Sequence, residues 1–202
     1  MRNSASGTSA IASFLLLLAG CTSERLTSPP RTAEEQLLIS TAADRAAEKL
    51  AQQIPPRIKI FLDATYINAP DANYATLAIR DRLLRHGAFL VDDKASAEAI
   101  VQVRAGALST DEKGLYVGTP SLTLPVVPTV ASGGILLPSL NLFKRAEIKA
   151  TAKFAATGYD PKTGQLILAT DPQFGYSERV DWVIAILFSW TNQDYLENRT
   201  MK

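Results

Sequence analysis

One cysteine and one histidine among 202 residues remove the raw material for several common chemistries. A lone cysteine has no partner for an intrachain disulfide. Without a second histidine, a zinc site lacks its usual donors. The single histidine, His86, has no Gly-x-Ser-x-Gly nucleophile elbow to serve. It sits just before Gly87, where the negative end of a helix welcomes a cation. A phosphate-cradling loop is missing too: Gly133-Gly134 runs into Ile135-Leu136-Leu137, with no lysine to meet a phosphate. Asp92-Asp93 is not followed by the alternating oxygen ligands of a calcium loop and reads as a solvated turn. Charge of one sign is lacking as well, with 21 Lys and Arg against 20 Asp and Glu. A nucleic-acid surface needs a basic footprint, so nucleic acid is not an expected partner. The expectation is a protein that is not an enzyme, with no metal and no diffusible cofactor.

What is present begins at the amino terminus. Arg2 is followed by an apolar run from Ile11 to Ala19 and then by Gly20-Cys21. A short basic region, a short apolar region and small residues before a cut make a secretory signal, too short for a stable bilayer anchor. Leu18-Ala19-Gly20-Cys21 resembles the lipobox of bacterial lipoproteins. The resemblance implies cleavage between Gly20 and Cys21, a diacylglycerol on the Cys21 sulfur and an acyl chain on the new amino terminus. One acyl chain binds membranes reversibly and two or more hold durably. Thr22, rather than aspartate, follows the cysteine. By the same resemblance this favours the periplasmic face of the outer membrane over the inner membrane.

Residues 21–32 are polar and proline-bearing and read as a tether. Residues 33–202 then suit one domain with its own core. Thr32 resembles a helix N-cap, with Glu34 and Glu35 in the first turn. Leu37, Leu38, Ala42, Ala46 and Leu50 keep helical spacing until Pro55-Pro56. Arg57–Asp63 reads as a strand, and a second helix spans about Asp71 to His86. Ala88–Val91 and Ile100–Val103 are short strands, with a helical turn near Ala95–Ala97. Ile148, Ala150, Ala152, Phe154 and Ala156 alternate with Glu147, Lys149, Thr151 and Lys153, the pattern of a half-buried antiparallel strand. Asp160-Pro161-Lys162-Thr163-Gly164 supplies a turn, and Gln165–Ala169 the return strand. The apolar stretch Trp182–Trp190 is expected to be a buried strand, with both tryptophans in the core or at a sheet edge. The fold class is therefore α/β (α+β), with a mixed or antiparallel sheet and two main helices.

Between Lys113 and Lys144 no residue is charged. Prolines at 120, 125, 128 and 138 forbid a regular helix across this insert, residues 114–143. A motif occurs twice in it, Pro120-Ser121-Leu122-Thr123-Leu124 and Pro138-Ser139-Leu140-Asn141-Leu142, each alternating as a strand arm does. An apolar hairpin or long loop follows. It either folds over the core as extra sheet or lid, or stays exposed to bind a protein partner or the membrane surface, or lines a pore in an oligomer. Leu122, Leu124, Leu140 and Leu142 are the candidate partner-binding residues.

Through Glu35–Ser40, Phe61–Asp63, Leu90–Asp93, Val103–Leu108 and Leu142–Arg145, the chain resembles a group of uncharacterised proteobacterial lipoproteins. Its element order is also similar to the TolB amino-terminal domain and to the periplasmic domain of the curli secretion channel. The lipoprotein group lends no established activity, and the likeness in element order implies assembly or transport rather than catalysis. The expected function is a lipid-anchored interaction or structural module of an envelope assembly, bound to an envelope protein. An oligomeric secretion or channel subunit and a small-ligand or lipid carrier are the alternatives.

Overall fold

The computed structural model describes residues 31–119, 122–124, 135–137, 140–185 and 187–195. Gly20 and Cys21 lie outside the described residues.

Helix α1 spans Ala33–Gln52, with Glu34 and Glu35 in its first turn and Lys49 in its last, matching the helix dipole at both ends. Its buried stripe is rich in alanine: Ala42, Ala43, Ala46, Ala47 and Ala51 beside Leu38, Ile39 and Leu50. Small side chains let the helix axis come close to the sheet. Gly175 takes the other half of that contact, because a Cβ there would overlap the Ala42 carbonyl oxygen and the Ala46 amide. Helix α2 spans Ala72–Arg85. It ends as the sequence predicts, with Arg82 and Arg85 in the last turn, His86 as C-cap and Gly87 left-handed at φ 94°.

The strands are β1 (Lys59–Tyr66), β2 (Phe89–Leu90), β3 (Ala99–Thr119), β4 (Leu122–Leu124), β5 (Ile135–Leu137), β6 (Leu140–Tyr159), β7 (Leu166–Ala169), β8 (Gln173–Ile184) and β9 (Phe188–Gln193). A 3-10 turn at Lys94–Ser96 precedes β3, with Asp93 accepting from the Ala95 amide. The main sheet has seven strands in the order β2-β1-β3-β6-β8-β9, with β7 also pairing β6. β1 runs parallel to β2 and β3, and the remaining pairs are antiparallel. The result is a single α/β domain with a mixed sheet and two helices on one face.

The alternation read in β6 is real: Ala150, Ala152, Phe154 and Ala156 are fully buried toward the helices. Ile60, Val101 and Val103 join them from β1 and β3. In the turn after β6, Asp160 Oδ1 accepts from the Lys162 and Thr163 amides while Gly164 adopts φ 70°.

Three expectations change. The strand expected at Ile100–Val103 is only the start of a strand reaching Thr119. β8 was not anticipated along Gln173–Asp181, where polar residues interrupt the pattern. The helix covers only Gly175 and Ser177 closely, so little of β8 needs to be apolar on that face. Trp182–Trp190 is not one buried strand. It is the end of β8, a turn, and the start of β9, with Trp182 opposite Trp190. Ala185 takes φ 49° at that turn, and Leu187 and Phe188 are 83% and 66% exposed.

Candidate functional site

The uncharged insert continues the sheet. Gly114–Thr119 extends β3 and Leu140–Phe143 begins β6, and the two pair in antiparallel register up to Thr119↔Leu140. A bulge between Val117 and Gly118 marks the only irregularity in this stretch. Farther out, Leu122 pairs with Leu137 and Leu124 with Ile135. The two copies of the repeated motif therefore do not pair with each other. The first meets Ile135–Leu137, and the second meets the end of β3. Pro120-Ser121 and Pro138-Ser139 lie outside the described residues.

Antiparallel register places β8 and β9 beside this arm. Two ranks of residues then cross four strands on the face away from the helices. One rank is Leu115, Arg145, Trp182 and Trp190. The next is Val117, Phe143, Ile184 and Phe188. Trp182 and Trp190 stack with centroids 5.9 Å apart, Phe143 meets Trp182 edge-on at 6.0 Å, and the Arg145 guanidinium lies 5.2 Å from the Trp182 ring. Contacts of this kind hold rings in place beyond the area they bury. The same face continues along β6 and β8 as a ladder, with Lys149 over Tyr176 at 4.7 Å and Lys153 over Phe174 at 5.1 Å.

On the opposite face Tyr116, Lys144 and Val183 form a rank, with Lys144 Nζ 5.6 Å from the Tyr116 ring, and a polar cluster follows nearer the helices. Arg179 bonds Asp181 at 3.0 Å, and Thr191 donates to the same carboxylate at 2.5 Å. Arg179 also pairs with Glu34, which accepts from the Tyr195 hydroxyl at 3.0 Å. These contacts tie the start of α1 to the middle of β8. Asp194 closes the end of β9. Its carboxylate accepts from Arg45 at 2.5 Å, from Ser177 at 2.7 Å and from the Glu178 amide at 3.0 Å. Burial opposes ionisation of Asp194, but these donors outweigh it and hold the carboxyl below its usual range.

Of the candidate contact residues, Leu142 is exposed, at 58%. Leu122, Leu124 and Leu140 stand on strands β4 and β6. Sequence reasoning missed the aromatic ranks. A usable signal was there: residues 182–193 are as free of charge as the insert. Among the described residues there is no cluster of metal-ligating side chains and no helix long and apolar enough to cross a membrane.

The fold and this site define a two-helix α/β domain whose sheet runs beyond its helices into an uncovered, aromatic end. The chain belongs to a family of unknown function, DUF6655, whose model matches residues 16–185. No curated protein matches the chain.

Proposed function

We propose that this protein is a lipid-anchored, non-catalytic interaction module of a bacterial envelope assembly, held at the periplasmic face of the outer membrane through acylated Cys21. The observation that carries the anchor is Leu18-Ala19-Gly20-Cys21 behind a short apolar leader. The interaction role is supported by the sheet extension, whose apolar side chains stay exposed on the described arm. Exposed apolar patches that span several strands mark contact surfaces rather than ordinary protein surface. Tethering keeps the domain at high effective concentration near its neighbours, so a weak interface is still occupied. The arm carrying Leu122, Leu124, Leu140 and Leu142 is the surface assigned to the partner.

Cell fractionation after Cys21→Ala, with metabolic labelling by a palmitate analogue, tests the anchor. The parent protein takes up label and sediments with outer membranes, and the variant takes up none. A labelled variant, or an unlabelled parent, sinks the reading. A photo-crosslinker at Leu124 and at Leu140 tests the arm. A discrete adduct to an envelope protein supports the assignment, and adducts only within the chain's own domain remove it.

A further inference from the structure

Two uncharged stretches, residues 114–143 and 182–193, are separated widely in the chain. Strands β3, β6, β8 and β9 carry described parts of both to one end of the sheet. A collar of charge bounds that end: Lys113 opposite Glu147, then Arg145, Arg179 and Asp181, with Lys144 outermost between Tyr116 and Val183. Past Lys144, no described residue of these four strands is charged.

We propose that this end of the sheet rests on the lipid bilayer itself, with the face bearing Trp182 and Trp190 and the turn at Ala185 and Leu187 entering the headgroup–acyl boundary. The inference rests on the lipid anchor proposed above and names a second, non-covalent contact with the same membrane. Four observations carry it. Surface turns use Gly, Asn, Asp or Pro, yet this one places Ala185 and an 83%-exposed Leu187 at its tip. Tryptophan, with an apolar body and a polar edge, favours the membrane–water boundary, and both tryptophans of the chain sit here. The charge then ends at Lys144, between the tryptophan rank and the rank of Ile184 and Phe188, where an apolar medium would begin. Finally, the tether starts nearby. Glu34, in the first turn of α1, pairs with Arg179, three residues before Trp182 and so about 10 Å along the strand. Cys21 lies twelve residues before Ala33, a reach of at most about 40 Å.

The same geometry limits the depth. Between Ala105 and Gly118 no strand lies beyond β3 among the described residues, and β9 ends the sheet on the other side. Open sheet edges are not tolerated in hydrocarbon, where no water meets the backbone. The contact is therefore shallow, with the edges still hydrated.

The tryptophans are their own reporters. The lipidated protein, extracted from membranes, is reconstituted into phosphatidylethanolamine–phosphatidylglycerol vesicles carrying brominated phosphatidylcholine. Bromine quenches only at contact distance, so tethering alone leaves emission unchanged. Quenching by bromine placed near the headgroup, with less from bromine near the chain ends, is expected. Leu187→Ser with Phe188→Ser abolishes that quenching while leaving the thermal midpoint in place. Equal emission in brominated and plain vesicles overturns the proposal. So does an emission shift that depends on protein concentration and not on lipid, since a second copy then covers the face. Mass analysis of the Cys21 peptide on the same sample separates the two readings. Quenched tryptophans beside an unmodified Cys21 refute the anchor and keep the face, and acylated Cys21 with unquenched tryptophans does the reverse.

Discussion

Single residues set the tolerances of this domain. Gly175 is where β8 passes under α1, and its missing side chain is the condition for that packing. Gly175→Ala is expected to cost about 3 kcal/mol or to prevent folding, since backbone, not a flexible side chain, stands in the way; a urea midpoint reads it. Ala185 sits in the left-handed region with its amide bonded to the Leu142 carbonyl at 2.7 Å. Glycine carries no Cβ penalty in that region, so Ala185→Gly is expected to stabilise by about 1 kcal/mol, again as a shift in midpoint. Asp194 supplies a pH dependence with a definite sign. Its folded pKa is lowered, so its contribution is complete above the unfolded value of about 3.9 and is lost as pH falls through the lower folded one. Asp194→Asn should lower stability at neutral pH and weaken the acid dependence of urea midpoints below about pH 4. An unchanged acid limb would remove Asp194 as its source. Neither Gly175 nor Asp194 stands out in the sequence, because each takes its meaning from residues more than a hundred positions away.

At the scale of elements, periodicity was readable wherever one face meets a core. α1, α2 and β6 each bury a stripe against the others, and their apolar residues repeat accordingly. Phe154→Ala, in the middle of β6 and fully buried, is expected to cost about 3–5 kcal/mol by calorimetry. β8 up to Asp181 and β3 over residues 109–113 leave no such trace, since past Leu108 and Ser177 no helix covers them and mostly polar or charged residues occupy both faces. The stretch Trp182–Trp190 misleads for the opposite reason. Its apolar content normally signals burial, and here it lies on an exposed hairpin. Substituting Leu187 and Phe188 by serine should accordingly shift stability by no more than about 0.5 kcal/mol, because nothing folded depends on them. A large loss of stability would show that this hairpin is packed in solution.

For the whole molecule, the lipobox-like Leu18-Ala19-Gly20-Cys21 behind a short apolar run needs no fold to be read, because the export and acylation proposed from it would act on local sequence. The class of the domain was equally accessible, since helix caps, strand alternation and turn residues are local consequences of backbone sterics and burial. What only the tertiary structure decided is the company these elements keep. Sheet register alone brings two distant uncharged stretches to one end, aligns Leu115, Trp182 and Trp190 into a rank with Arg145, and sets a collar of charge at the level of that rank. A strand's own sequence states which residues share a face. It does not state which strands lie beside it, or where the covering helix stops, because those are settled by long-range pairing and by close contacts such as that of Gly175 with α1.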